Sequence, residues 1–187
     1  MPAAGTGQEI AIFLVSVVFG IYIILLILRT IFGLVRADYY NPLSQTIVML
    51  TDPPLRLLRP LIPSLGRVDL AAIVLMIALK CIEIWLRVLI VGLDAGFGVI
   101  FVVAIRELLT SVIWVFIIAL IVEVVMSWIQ AGGGGAANNP IMRLAGAVNR
   151  PLLGPLRRAL PNTGAIDFSP MIALVGLYIL LIIVRSF

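Results

Sequence analysis

Histidine is absent from this 187-residue chain, cysteine occurs once, and only 12% of the residues are charged. With no histidine and a lone Cys81, the usual ligands for zinc or haem are missing and no disulfide framework can form. The shortage of charge excludes more. At 63% hydrophobic residues the chain has too little polar surface to clothe a soluble globule, so its composition is that of an integral membrane protein. No Ser or Cys nucleophile with a general base is recognisable; no cofactor is expected and an enzyme is disfavoured. The run Gly132-Gly133-Gly134-Gly135 is followed by no Lys-Ser/Thr and is no phosphate loop.

Long uncharged stretches take the place of what is missing. From Ile10 to Leu28 there is no charge, and a helix over about residues 10–34 is expected to span the membrane, since about 20 apolar residues cross its hydrocarbon core. Arg29 lies near the end of that helix, where it can snorkel or find a partner. Residues 1–9 lack the basic start and small-x-small site of a cleaved signal peptide, so none is expected. A second spanning helix is expected over about 70–91, a third over about 108–128 with a membrane-associated extension from residue 97, and a short fourth over about 170–185. An interfacial segment, 36–68, separates the first two, and another, 132–166, separates the last two. The expected fold class is an all-α membrane protein: four transmembrane helices as two parallel two-helix repeats, 1–96 and 97–187, with short interfacial helices inside each.

The division rests on a duplication. A constant offset of 98 carries Asn41-Pro42 onto Asn139-Pro140, Pro53 onto Pro151, Arg59 onto Arg157, Pro63 onto Pro161, Gly66 onto Gly164 and Asp69 onto Asp167. Asn41 and Asn139 are expected to cap helices beginning at the following proline, which has no N–H to lose there. Leu43, Ile47 and Leu50 share a face opposite Gln45, as Ile141, Ala145 and Val148 do opposite Arg143, the pattern of helices lying in the interface. Thr51-Asp52-Pro53-Pro54 is expected to stop the first such helix and start another turn, with Arg56 and Arg59 on one side, ended by Pro60 and Pro63. Gly66 then redirects the chain and Asp69 caps the next helix. Arg59 and Arg157 each precede their Asp by ten residues, so each can reach that carboxylate or a lipid phosphate.

Charges inside the apolar stretches admit sharper and blander readings. Lys80, Glu83 and Arg87 share one helix face, either as an ion or proton relay or as a mutually neutralising ladder; the Glu83-before-Arg87 spacing favours the ladder. Arg29 and Glu123, each roughly two turns inside a helix end, are expected to pair and join the repeats; the alternatives are independent snorkelling or a role at a partner interface. The polar segments carry Arg36, Arg56, Arg59, Arg67, Arg143, Arg150, Arg157 and Arg158, against only Arg87, Arg106 and Arg185 opposite. By the positive-inside bias the polar segments are cytoplasmic and both termini face away. Arg56, Arg59, Arg67, Arg143, Arg150, Arg157 and Arg158 are the candidate lipid- or partner-binding residues. Anionic lipid suits them better than nucleic acid, because Leu and Pro interleave them and no aromatic platform for bases is present.

At these residues the chain resembles the YggT family of bacterial membrane proteins, which has relatives in plastids. The family pattern of Asn-Pro, a proline-rich stretch with Arg, and Gly-x-x-Asp occurs here as Asn41-Pro42, Pro53-Pro54-Leu55, Arg59, Pro63 and Gly66-Arg67-Val68-Asp69. It occurs again as Asn139-Pro140, Pro151-Leu152-Leu153, Arg157, Pro161 and Gly164-Ala165-Ile166-Asp167. The resemblance implies a small inner-membrane protein linked with envelope organisation, division-associated processes or osmotic stress, and in plastids with assembly of membrane complexes. The expectation is a non-enzymatic scaffold or assembly factor, partnered by anionic lipid and by a membrane protein or a second copy. The alternative is a channel or osmotic-stress transport component using Lys80, Glu83 and Glu123.

Overall fold

A computed structural model describes residues 5–132, 139–159 and 167–186, and among them the fold is all-helical. Six helices follow one another: α1 (Thr6–Val35), α2 (Pro42–Leu58), α3 (Leu70–Val91), α4 (Phe97–Ala131), α5 (Pro140–Ala159) and α6 (Ser169–Arg185). Most of the expected glycine tether, Pro161 and Gly164 lie outside the described residues. Thr6–Val35 and Phe97–Gln130 are long and apolar enough to cross a membrane. α3 carries Lys80, Glu83 and Arg87 within its 22 residues, and α6 has only 17, so neither is as plain a candidate by length and charge.

Helix ends follow the residues placed there. Asn41 Oδ1 accepts from the Leu43 N–H at 3.0 Å and Asn139 Oδ1 from Ile141 at 2.9 Å, so both copies of the Asn-Pro signal start a helix in the same way. Asp69 caps α3 by accepting from Ala72. Gly92, at φ 75°, ends α3, and the Leu93 N–H reaches back to the Val88 carbonyl at 3.1 Å, turning the chain toward α4. α1 ends differently. Arg36 holds the left-handed conformation at φ 53°, where glycine is the usual occupant.

Pro53 and Pro54 do not stop the first polar helix as expected. α2 runs unbroken through Pro53 and Pro54, and α5 through Pro151 and Pro155. Pro53 and Pro54 remove the amide partners of the Met49 and Leu50 carbonyls, both on residues at the exposed side of α2. The Tyr22 hydroxyl of α1 donates to the Leu50 carbonyl at 3.4 Å and takes up part of that loss. The buried stripe of α2 is Ser44, Ile47, Thr51 and Leu55, with Leu43 and Leu50 exposed beside it. At offset 98, Ile47, Thr51 and Leu55 correspond to Ala145, Asn149 and Leu153, all buried in α5.

α4 sits at the centre of the packing and touches α1, α3, α5 and α6. Ile23, Leu26 and Ile27 of α1 meet Ala71, Ala72 and Met76 of α3, with Leu55 and Val148 closing the polar end. A second core joins Ile113, Ile117 and Leu120 of α4 to Leu153 of α5 and to Ala173, Leu177 and Leu181 of α6. Near the α3–α4 turn, Ala104 packs on Ile84 without exposure, the close approach that small residues permit between apolar helices.

The two polar helices meet. Asn41, only 2% exposed, donates through Nδ2 to the Pro140 carbonyl at 2.8 Å, and Arg143 pairs with Asp38. One Asn side chain thus caps its own helix and binds the start of the other. We expect Asn41→Ala to lower stability by about 2 kcal/mol, a lost cap plus a buried carbonyl left unpaired, and Asn139→Ala by about 1. Melting temperatures of the two variants in one detergent check the order.

Candidate functional site

Charged side chains gather in two places. Between α3 and α4, Lys80 Nζ lies 2.7 Å from Glu83 and 3.0 Å from Glu107, while Arg87 lies 3.6 Å from Glu83 and 2.8 Å from Glu107. Two cations face two carboxylates. Lys80 and Glu83 are 9% and 2% exposed at the side chain, so the charges are neutralised where water is scarce. The ladder reading of Lys80, Glu83 and Arg87 matches this geometry; Glu107, on the neighbouring helix, completes it and was not foreseen. Its signal was the lack of any counter-charge for Arg87 beyond Glu83.

The second gathering occupies the end where α2 and α5 lie. Arg29 of α1 donates to Asp52 at 2.7 Å, to the Thr51 hydroxyl at 2.8 Å and to the Val48 carbonyl at 3.0 Å. Asp52 also holds Arg56 at 2.6 Å and Arg59 at 3.3 Å, and Arg59 reaches on to Asp69 at 2.8 Å. In the other copy Arg157 lies 2.8 Å from Asp167 and 3.5 Å from Glu123, and Asn149 donates to Glu123 at 2.7 Å. The pairings Arg59 to Asp69 and Arg157 to Asp167 form in both copies.

The expected contact of Arg29 with Glu123 does not form. Arg29 turns to Asp52 on the adjacent α2, and Glu123 turns to α5, because each has a nearer counter-charge on the amphipathic helix packed against it. Asp52 is the acceptor that sequence reasoning passed over, having read it only as part of a helix stop. Among the candidate binding residues, Arg56, Arg59, Arg143 and Arg157 hold carboxylates, while Arg67, Arg150 and Arg158 are exposed with no acidic partner among the described residues.

Electrostatics follow these partners. The hydrogen bond from Arg29, with help from Arg56, holds the Asp52 carboxyl below its ordinary value of 3.8 despite desolvation. The bond to Asp69 raises Arg59 further above its usual range. Desolvation pushes Asp167 up, but hydrogen bonds from Ser169 and the charge of Arg157 outweigh it and leave the carboxyl lowered.

The sequence matches the family model CCB3/YggT over residues 8–90 and again over 102–187. The chain belongs to this family. It is 39% identical over 170 residues to an uncharacterized protein of Pseudomonas aeruginosa, covering 89% of this chain and 84% of that one. To Escherichia coli YggT, also named as uncharacterized, it is 33% identical over 168 residues, covering 90% and 85%. A Vibrio alginolyticus protein is 32% identical over 171 residues, with 88% of each chain covered. No solved structure matches. Within the family frame, the two matched segments each contain one Asn cap and one Arg–Asp pair ten residues apart.

Two outcomes follow from the geometry. Glu83→Leu leaves two cations facing one carboxylate and should cost about 3–5 kcal/mol, whereas Lys80→Leu/Glu83→Leu preserves the Arg87–Glu107 pair and should cost less; denaturant titration in detergent ranks them. Because the folded carboxyls of Asp52 and Asp167 titrate below 3.8, their contribution is complete above that pH and is lost as pH falls through the lower folded values. Asp52→Asn and Asp167→Asn should therefore melt earlier than the parent at neutral pH and converge with it well below pH 3.8, as melting curves at stepped pH will register.

Proposed function

We propose that the chain is a multi-pass protein of the bacterial inner membrane that acts, without catalysis, as a scaffold or assembly factor. In this reading α1, α3, α4 and α6 span the bilayer as two parallel repeats, 1–96 and 97–187. α2 and α5 lie at the cytoplasmic interface, with both termini on the other side. Membrane placement draws support from the outward faces of the long helices: the apolar windows of α1 and α4 are only 17% buried within the molecule, whereas the core helix of a soluble protein is mostly buried. Phe13, Val18 and Ile21 of α1 stand among the exposed apolar residues.

The observation that carries the scaffold reading is the joining of α2 and α5 into one platform. Asn41 to Pro140 and Arg143 to Asp38 tie the two amphipathic helices together, and Arg56, Arg150 and Arg158 face outward from them. A basic surface on a tethered platform suits anionic headgroups or an acidic partner segment. The transport alternative draws less support, because Lys80 and Glu83 are occupied by each other and by Arg87 and Glu107, and Glu123 belongs to a separate cluster.

Capture from membranes in mild detergent tests the platform. The parent should retain a defined membrane-protein partner that Arg150→Glu/Arg158→Glu releases; a partner held equally by both, or none at all alongside ion flux in proteoliposomes, defeats the reading. The orientation is checked separately by a reporter active only outside the inner membrane, fused after Phe187, which should be active.

A further inference from the structure

In the first copy of the repeat, a cavity of about 370 Å³ opens between the end of α1, the start of α2 and the turn that leads into α3. Arg29, Arg36, Arg59 and Arg67 all line it, and among the described residues Asp69 is the one acidic residue in its wall. Arg29 and Arg59 are held by Asp52 and Asp69. Arg36 and Arg67 have no carboxylate partner among the described residues, so the cavity keeps an excess of positive charge.

Two further observations point to a ligand. Ser44, only 4% exposed, also lines the cavity, and its hydroxyl oxygen is buried without a hydrogen-bond partner. Buried polar atoms are nearly always paired, and an oxygen-rich anion would accept from this one. Arg36 occupies the left-handed position at the end of α1, where glycine would sit without strain. Strain kept at a particular position is a pointer to function, and here it belongs to an unpaired cation in the cavity wall.

The cavity is not bounded by polar groups alone. Thr30 lines both it and an apolar groove of about 310 Å³ between α1, α3 and α4, otherwise walled by aliphatic side chains such as Leu34, Met76 and Leu109. A basic chamber that shares a wall residue with an apolar trough has the polarity profile of an amphiphile. We propose that this is a binding site for an anionic phospholipid, with its phosphate between Arg36, Arg67 and the Ser44 hydroxyl and an acyl chain in the groove beyond Thr30. The inference rests on the membrane reading above. It also breaks the repeat: at offset 98, Arg36, Ser44 and Arg67 correspond to Gly134, Met142 and Ala165, so only the first copy has these groups.

Lipid retention by the purified full chain provides the test, with phosphatidylglycerol against phosphatidylcholine in mixed micelles, read by native mass spectrometry. The parent should retain phosphatidylglycerol preferentially. Arg36→Gly and Arg67→Gln should each lower that retention roughly fivefold, the effect of about one basic side chain at an anionic lipid surface. Arg36→Gly should also melt no earlier than the parent in lipid-free detergent, because glycine relieves the backbone; this separates loss of the ligand from loss of the fold. Leu109→Trp, which fills the exposed side of the groove, should weaken phosphatidylglycerol retention. Four results would overturn the proposal: no preference in the parent, unchanged retention in the Arg36 and Arg67 variants, an equal loss in Arg150→Gln/Arg158→Gln, or full displacement by soluble glycerol phosphate with no effect of Leu109→Trp. The third would mean a diffuse basic surface and the fourth a free-phosphate site. Neither would decide the scaffold reading, which is judged by partner capture.

Discussion

A charge set among apolar helices must bring its counter-charge with it, and much of the architecture follows from that constraint. Leaving even one such charge unpaired costs several kcal/mol, comparable to much of the stability of a small protein. Lys80 and Arg87 therefore fix α3 against Glu107 of α4, and Arg29 fixes α1 against Asp52 of α2. These pairs set the rotation of each helix about its axis. Apolar packing alone leaves rotation loosely specified, because the outward faces of α1 and α4 are as hydrophobic as the inward ones.

The duplicated polar segment solves one problem twice with different charges. In the first copy an Arg on the long helix holds an Asp on the amphipathic helix; in the second a Glu on the long helix faces Asn149 and Arg157. The polarity of the link is inverted while its purpose, docking the amphipathic helix, is kept. What does not change is the Arg bridging to the Asp ten residues on, at 2.8 Å in both copies. That pair ties the end of α2 to the start of α3, and α5 to the residues just before α6.

The parts legible from sequence were those governed by local rules or by the repeat offset. The Asn41, Asn139 and Asp69 caps and the Arg–Asp pairs are local in this sense, since the donor and acceptor lie within a few turns of one another. The Arg29 pairing was misread because charge complementarity alone cannot choose between Glu123 and Asp52 without knowing which helix packs closer. The prolines misled for a related reason. A local rule says helix stop, but Tyr22 from another helix meets one freed carbonyl and the exposed side of α2 leaves the other accessible. Asn149 was visible in principle: offset 98 places it opposite Thr51, and a polar residue recurring in a buried stripe marks a position that makes a bond.

α4 has 35 residues, a length of about 52 Å at about 1.5 Å per residue. It carries Glu107 in one ionic cluster and Glu123 in the other, about 24 Å apart along the same rod by that rise. One helix thus spans both ionic clusters, supplying the carboxylate that α3 meets in the first copy and the one that α5 meets in the second.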